Sequence, residues 1–181
     1  MNETIRTIKS RRSIRGFNDK PISKDIIEEI IECGRYAPSA MNRQLWKFVV
    51  IDNKDAINDI RDSIIDDALK ANPKVKERMK SMKDPLFYNS SLIIIVLGPK
   101  DDKLAYFDCA AAAQNMMLAA RSLGVGSCPI GTGRLIINKK SLVDKLKIPD
   151  DYEIVITLTF GYSDAEPKAP ERKRDNIILL G

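Results

Sequence analysis

The chain has 181 residues, 44% hydrophobic and 30% charged, with 30 basic and 25 acidic side chains and a net charge of +5. This balance predicts one soluble globular domain over residues 1–181, excludes a disordered chain, and argues against a general nucleic-acid binder, which needs a denser basic face. The absence of histidine removes Ser-His-Asp and Cys-His catalysis and His-ligated zinc together, so any chemistry must use carboxylates, lysine, backbone or a cofactor.

No apolar run approaches the ~18 residues of a membrane span and no leader is visible, so no membrane association is expected. Cys33, Cys109 and Cys128 are odd in number and never spaced as Cys-x-x-Cys. They read as reduced thiols of a cytoplasmic protein, and no metal site is expected.

Asn2 is a candidate N-cap for a short helix to about Ser10. Ser10-Arg11-Arg12-Ser13-Ile14-Arg15-Gly16-Phe17 follows. Three arginines and two serines in six residues suit an anion, above all a phosphate, or else a solvated basic turn. Ser23 is placed to cap the next helix, whose Ile26, Ile27, Ile30 and Ile31 recur at helical spacing. That helix should end between Gly34 and Pro38.

The stretch from Ala37 to Trp46 gathers small residues, two amides and the single Trp, then leads into a strand at Lys47 to Ile51. Residues 54–83 read as two charged helices broken near Asn72-Pro73, the second running from Lys74 to Lys83. Leu92 to Leu97 is a continuous β-branched and aliphatic run, which predicts a strand buried on both faces. Tyr106 to Leu123 is a helix apolar almost all round, either central in the domain or shared with a second subunit, and Gly124 closes it.

Gly124-Val-Gly126-Ser-Cys-Pro129-Ile-Gly131-Thr-Gly133 fails the dinucleotide fingerprint. Pro129 stands at the third glycine, and the segment leaves a helix where the fingerprint opens one. It reads as turn punctuation, or as bare backbone beside a flat ligand. Asn138 is expected to cap a helix to about Lys147, and Tyr152 to Phe160 is a core strand. Asn176 to Leu180 reads as a terminal strand that should pair with a sheet edge, possibly a partner's.

Taken in order, the Arg/Ser cluster, the Pro-Ser-Ala-x-Asn-x-Gln-x-Trp loop, the Cys-Pro-Ile-Gly segment after an Ala-rich helix and the basic Pro-rich tail resemble the FMN-dependent nitroreductase family from end to end. The resemblance implies an α+β nitroreductase-like fold, a central, mostly antiparallel sheet flanked by helices, in an intertwined homodimer with FMN at the interface. It implies that Arg11, Arg12 and Ser13 face the flavin phosphate and ribityl chain and that Arg15 lies by the pyrimidine edge. Pro38, Ser39, Ala40, Asn42 and Gln44 would reach the flavin of the other subunit, and Pro129, Ile130, Gly131 and Thr132 would lie near the ring. Arg172 and Arg174 match the basic pair that also meets the phosphate.

Leu45 stands where the family usually has Pro before Trp, and the family's mid-chain Asn and Lys contacts find no match between Asn53 and Asn89. The implied activity is ping-pong electron transfer from NADH or NADPH to nitroaromatic, quinone or enone-type acceptors, with no side chain assigned as acid or base. Alternatives are reductive dehalogenation or flavin fragmentation within the family, or a non-enzymatic nucleic-acid or regulatory module.

Overall fold

The computed structural model describes residues 2–173 and 175–180. Its centre is an antiparallel sheet of four strands, β1 (Lys47–Ile51), β2 (Leu92–Pro99), β3 (Gly126–Ile130) and β4 (Tyr152–Gly161), in the order β1-β2-β4-β3. Helices α1 (Glu3–Ser10), α2 (Lys24–Arg35), α3 (Lys54–Ala71), α4 (Pro73–Met79), α5 (Lys103–Ser122) and α6 (Lys140–Lys145) surround it.

The period of two along β2 explains the layering. Ile93, Ile95 and Leu97 face one core, with Ile57, Ile60 and Ile64 of α3 and Ile136 and Leu142 beyond β3. Leu92, Ile94 and Val96 face the other, with Ile27 and Ile30 of α2 and Ala112, Ala113 and Met116 of α5. Every β2 residue from Leu92 to Gly98 is buried, and each fully buried Leu or Ile side chain contributes about 1.5–3 kcal/mol. α5 is therefore largely central within its own chain. It still leaves Leu104 and Phe107 exposed.

Capping is only partly as expected. The side chains of Asn2, Asn53 and Asn72 accept from Ile5 N, Ala56 N and Lys74 N and start α1, α3 and α4. Ser23 occupies the N-cap of α2 but makes no side-chain cap bond. Asn138 is no cap either: it ends a 3₁₀ stretch, Thr132–Asn138, and Lys139 precedes α6. Gly124 closes α5 with φ of +75°.

Two further expectations are corrected. α4 stops at Met79, short of Lys83. The glycine-rich segment contains a true strand, β3, rather than turn punctuation. It is tolerated because β3 is an edge strand, where the missing N–H of Pro129 costs no ladder bond. Residues 176–180 form no strand and pair with no edge of their own chain; Ile177, Ile178, Leu179 and Leu180 are 70–96% exposed.

Candidate functional site

Residues 11–17 lie alongside β3. Ser13 makes a parallel bridge to Ser127, and Ile14 N donates to Ser127 O at 3.0 Å. Further on, Phe17 N donates to Tyr88 O at 3.0 Å and Asn18 N to Tyr162 O at 2.9 Å. The seat is made by two glycines opposite each other in the β3–β4 register, Gly126 and Gly161. A Cβ on Gly126 would come within 2.9 Å of Ile14 Cγ1, and one on Gly161 within 2.7 Å of Phe17 Cγ. Ile14 and Phe17 are thus buried anchors, and the polar residues between and before them are left for other work.

At the Arg11 end is a cavity of about 280 Å³ lined by Ser10, Arg11, Arg12, Arg121, Gly126 and Ser127, with Glu166 as the one acid. Arg12 Nη1 donates to Lys9 O and Arg11 O at 2.8 and 2.7 Å, and Arg121 Nε to Ser10 Oγ at 3.2 Å. Among the described residues, Arg11 Nη1 and Arg12 Nε are buried without any hydrogen-bond partner. Burial first, then the charges of Arg12 and Arg172, pushes the Arg11 guanidinium below its usual value, against the opposing pull of Cys128. Such crowding of cations around unused donors costs free energy that an anion would relieve. The residues fit a phosphate.

On the other side of the same segment a second cavity, about 370 Å³, is lined by Arg15, Pro129, Ile130, Gly131 and Thr132 together with Asn72, Arg78 and Tyr88. Its wall is held by a strained turn. Tyr88 and Asn89 have φ of 59° and 63°, and buried Asp84 fixes them by accepting from Leu86 N, Phe87 N and Asn89 N at 2.9–3.2 Å. Asn89 Nδ2 donates to Phe17 O and Asp19 Oδ1. Lys54 Nζ donates to Asn89 O, Asn89 Oδ1 and Ser90 O. Arg78 Nη1 reaches Tyr88 Oη at 3.1 Å. Between the two cavities, burial pushes the Cys128 thiol up, opposed chiefly by the Arg15 charge and a bond from Ser13.

The predicted Arg11, Arg12, Ser13, Arg15 and Pro129 to Thr132 therefore meet on one ribbon, and Arg172 is near enough to act on Arg11. Arg174 lies outside the described residues. Asn72 and Arg78 were not predicted; the only sequence signal for them is the Asn72-Pro73 break that turns α3 into α4.

The loop carrying Pro38, Ser39, Ala40, Asn42 and Gln44 is elsewhere. Ala40 N donates to Asp108, in the first half of α5, whereas Arg121 in its last turn adjoins the arginine cluster. Those positions are thirteen residues apart, which amounts to about 20 Å of helix. One chain does not bring this loop to its own arginines. Gln44 Nε2 donates to Asn42 Oδ1 at 3.0 Å and both residues are exposed. Trp46 is buried behind them, stacked on Phe48 with centroids 6.4 Å apart.

Among the described residues there is no cluster of metal-ligating side chains and no helix long and apolar enough to cross a membrane. Comparison with known proteins gives a consistent result. The chain is 31% identical over 170 residues, covering 92% of it and 88% of the relative, to an Archaeoglobus fulgidus protein provisionally named NADH dehydrogenase/NAD(P)H nitroreductase. It is 29% identical over 196 residues to the 4-nitrobenzoate reductase of Pseudomonas putida, covering 87% of this chain and 84% of that one. A crystal structure of a Bacteroides fragilis nitroreductase with bound FMN superposes with a TM-score of 0.88 at 30% identity, covering all of both chains. The sequence model of the Nitroreductase family matches residues 8–162, so this chain, with its helix-flanked antiparallel sheet and arginine-lined cleft, belongs to the nitroreductase family.

Proposed function

We propose that the protein is an FMN-dependent oxidoreductase that passes electrons from NADH or NADPH to nitroaromatic, quinone or enone-type acceptors, and that it works as a homodimer. The observation that carries this reading is the arginine cluster. Arg11 Nη1 and Arg12 Nε are buried donors with nothing to bond among the described residues, beside Arg172 and with Gly126 in the same cavity lining. They would hold the phosphate of FMN, with Ser13 beside them. The names of relatives support the same cofactor and donors, among them an NAD(P)H-dependent FMN reductase of Bacillus subtilis.

A bound FMN would supply the two-electron redox chemistry that this histidine-free chain lacks. Arg15, at the other end of the ribbon, would place a fixed positive charge by the pyrimidine edge and favour the reduced, more negative flavin. Pro129 to Thr132 offer an edge strand and its following turn as a wall, and Asn72, Arg78 and Tyr88 form the opposite side of the cleft. Donor and acceptor would use this cleft in turn. The 38–44 loop, too far from its own chain's arginines, would complete the site of a second copy; this distance supports the dimer.

The test is direct. Purified protein should be yellow, release FMN on denaturation, and oxidise NADH or NADPH when a nitroaromatic acceptor is added. Colourless protein that takes up no added FMN would overturn the reading. Product analysis with FMN alone, under anaerobic conditions, distinguishes electron transfer to an acceptor from flavin fragmentation.

A further inference from the structure

The 38–44 loop is strained and is held against the first half of α5. Met41, Asn42 and Gln44, none of them glycine, have φ of 54°, 55° and 50°. Such a conformation persists only where the surroundings over-determine it. What surrounds it here is the first half of α5. Asp108 directs both carboxylate oxygens at Ala40 N, at 3.2 and 3.3 Å. The carbonyl of Ala40 accepts from Arg43 Nε at 3.2 Å, and Arg43 Nη1 meets Asp102 Oδ2 at 2.7 Å. Asp102 in turn accepts from Leu104 N and Ala105 N and starts α5. Ser39 Oγ closes the loop by accepting from Gln44 N at 3.0 Å.

Asp108 is the unexpected member. It is only 7% exposed, on a helix whose other buried residues are Ala, Cys and Met. A carboxylate is expensive in such a place and packing gives no reason for it. Among the described residues its one hydrogen-bond donor is Ala40 N. Every other polar group of the clamp has an alternative use in helix capping or loop closure; Asp108 has none.

We propose that Asp108 is a positioning residue for cofactor binding: it locks the 38–44 loop in the strained form that presents the Asn42 and Gln44 amides to FMN. This rests on the function proposed above, in which the loop serves the site of a second copy. Asp108→Ala should weaken FMN binding by about tenfold or more, the value of one hydrogen bond to a charged acceptor. Asp108→Asn keeps an acceptor oxygen and should restore most of that affinity.

Ala40→Pro removes the same bond from the other side, since proline is tolerated at the first residue of a helical turn. The double variant with Asp108→Ala should bind FMN no worse than the weaker single variant.

The measurement is an FMN titration of apoprotein by flavin fluorescence, with the thermal unfolding of each apoprotein recorded beside it. Asp108→Ala binding FMN as tightly as wild type would overturn the inference alone. So would Asp108→Ala and Asp108→Asn losing affinity equally and in step with their melting temperatures. Wild-type protein that binds no FMN would instead overturn the proposed function, and this inference with it.

Discussion

The two ends of α5 are built to opposite rules. At the C-terminal end, Arg121 joins Ser10, Arg11 and Arg12 around a cavity, and two arginine donors are left buried with nothing to bond among the described residues. At the N-terminal end, Asp102, Arg43, Ala40 and Asp108 spend their polar groups largely on one another, with only Arg43 Nη2 left over among the described residues. The first end leaves donors that a ligand would use; the second is complete as a scaffold and displays two amides outward. The same helix therefore serves a receiving surface and a presenting one, about 20 Å apart.

The largest effect should come from the receiving end. Replacing Arg11 and Arg12 together by Ala removes two charged donors worth about 1.5–3 kcal/mol each. FMN affinity should fall by about a hundredfold or more while the apoprotein melts no lower than wild type, because like charges have been separated. A lower apoprotein melting temperature with FMN binding intact would make the cluster structural and erase the contrast.

A smaller effect is expected where the receiving segment is seated. Gly161→Ala puts a Cβ against Phe17, 2.7 Å from Cγ, and overpacking of this kind costs about 1–3 kcal/mol. Stability and FMN affinity should fall together. Emission from Trp46, the single tryptophan, which is buried behind the presenting loop, should stay unchanged. A shift in that emission would mean the two ends are not independent.

The smallest effect is that of pH on the presenting end. The hydrogen bond from Arg43 holds the Asp102 carboxyl below its ordinary value of 3.8, with the α5 backbone N–H groups helping. The folded state thus favours the ionised form. Its contribution is complete above the unfolded carboxyl's range and is lost as pH falls through the lower folded value. Trp46 emission should be flat from neutral pH to about 5 and change only in stronger acid. A transition between pH 5 and 7 would show that another group controls the loop.

Periodicity carried most of the fold. β1 and β2 begin as the apolar runs predict, and α3 breaks where Pro73 demands. β3 was hidden because glycines and Pro129 read as breakers; only its edge position in the sheet makes them acceptable there. Residues 176–180 read as a strand from apolarity alone, and pairing depends on a neighbouring edge that residue pattern cannot supply. In the site, Ser10 to Arg15 stood out because so much charge in six residues has no packing use. Asn72, Arg78 and Tyr88 did not, since their meeting depends on the positive-φ turn at Tyr88 and Asn89. Asp108 carries a fainter signal, as the one acid on a largely apolar helix.

The seating of residues 11–17 on β3 has one more consequence. β3 is the last strand of the sheet, and the bridge at Ser13 and the bond from Ile14 occupy its outer side. An exposed sheet edge is a template for another chain. The arm whose arginines line the cavity is also the cap that keeps this edge from recruiting strands. Lifting it would open that cavity and uncover a bare strand edge in one motion.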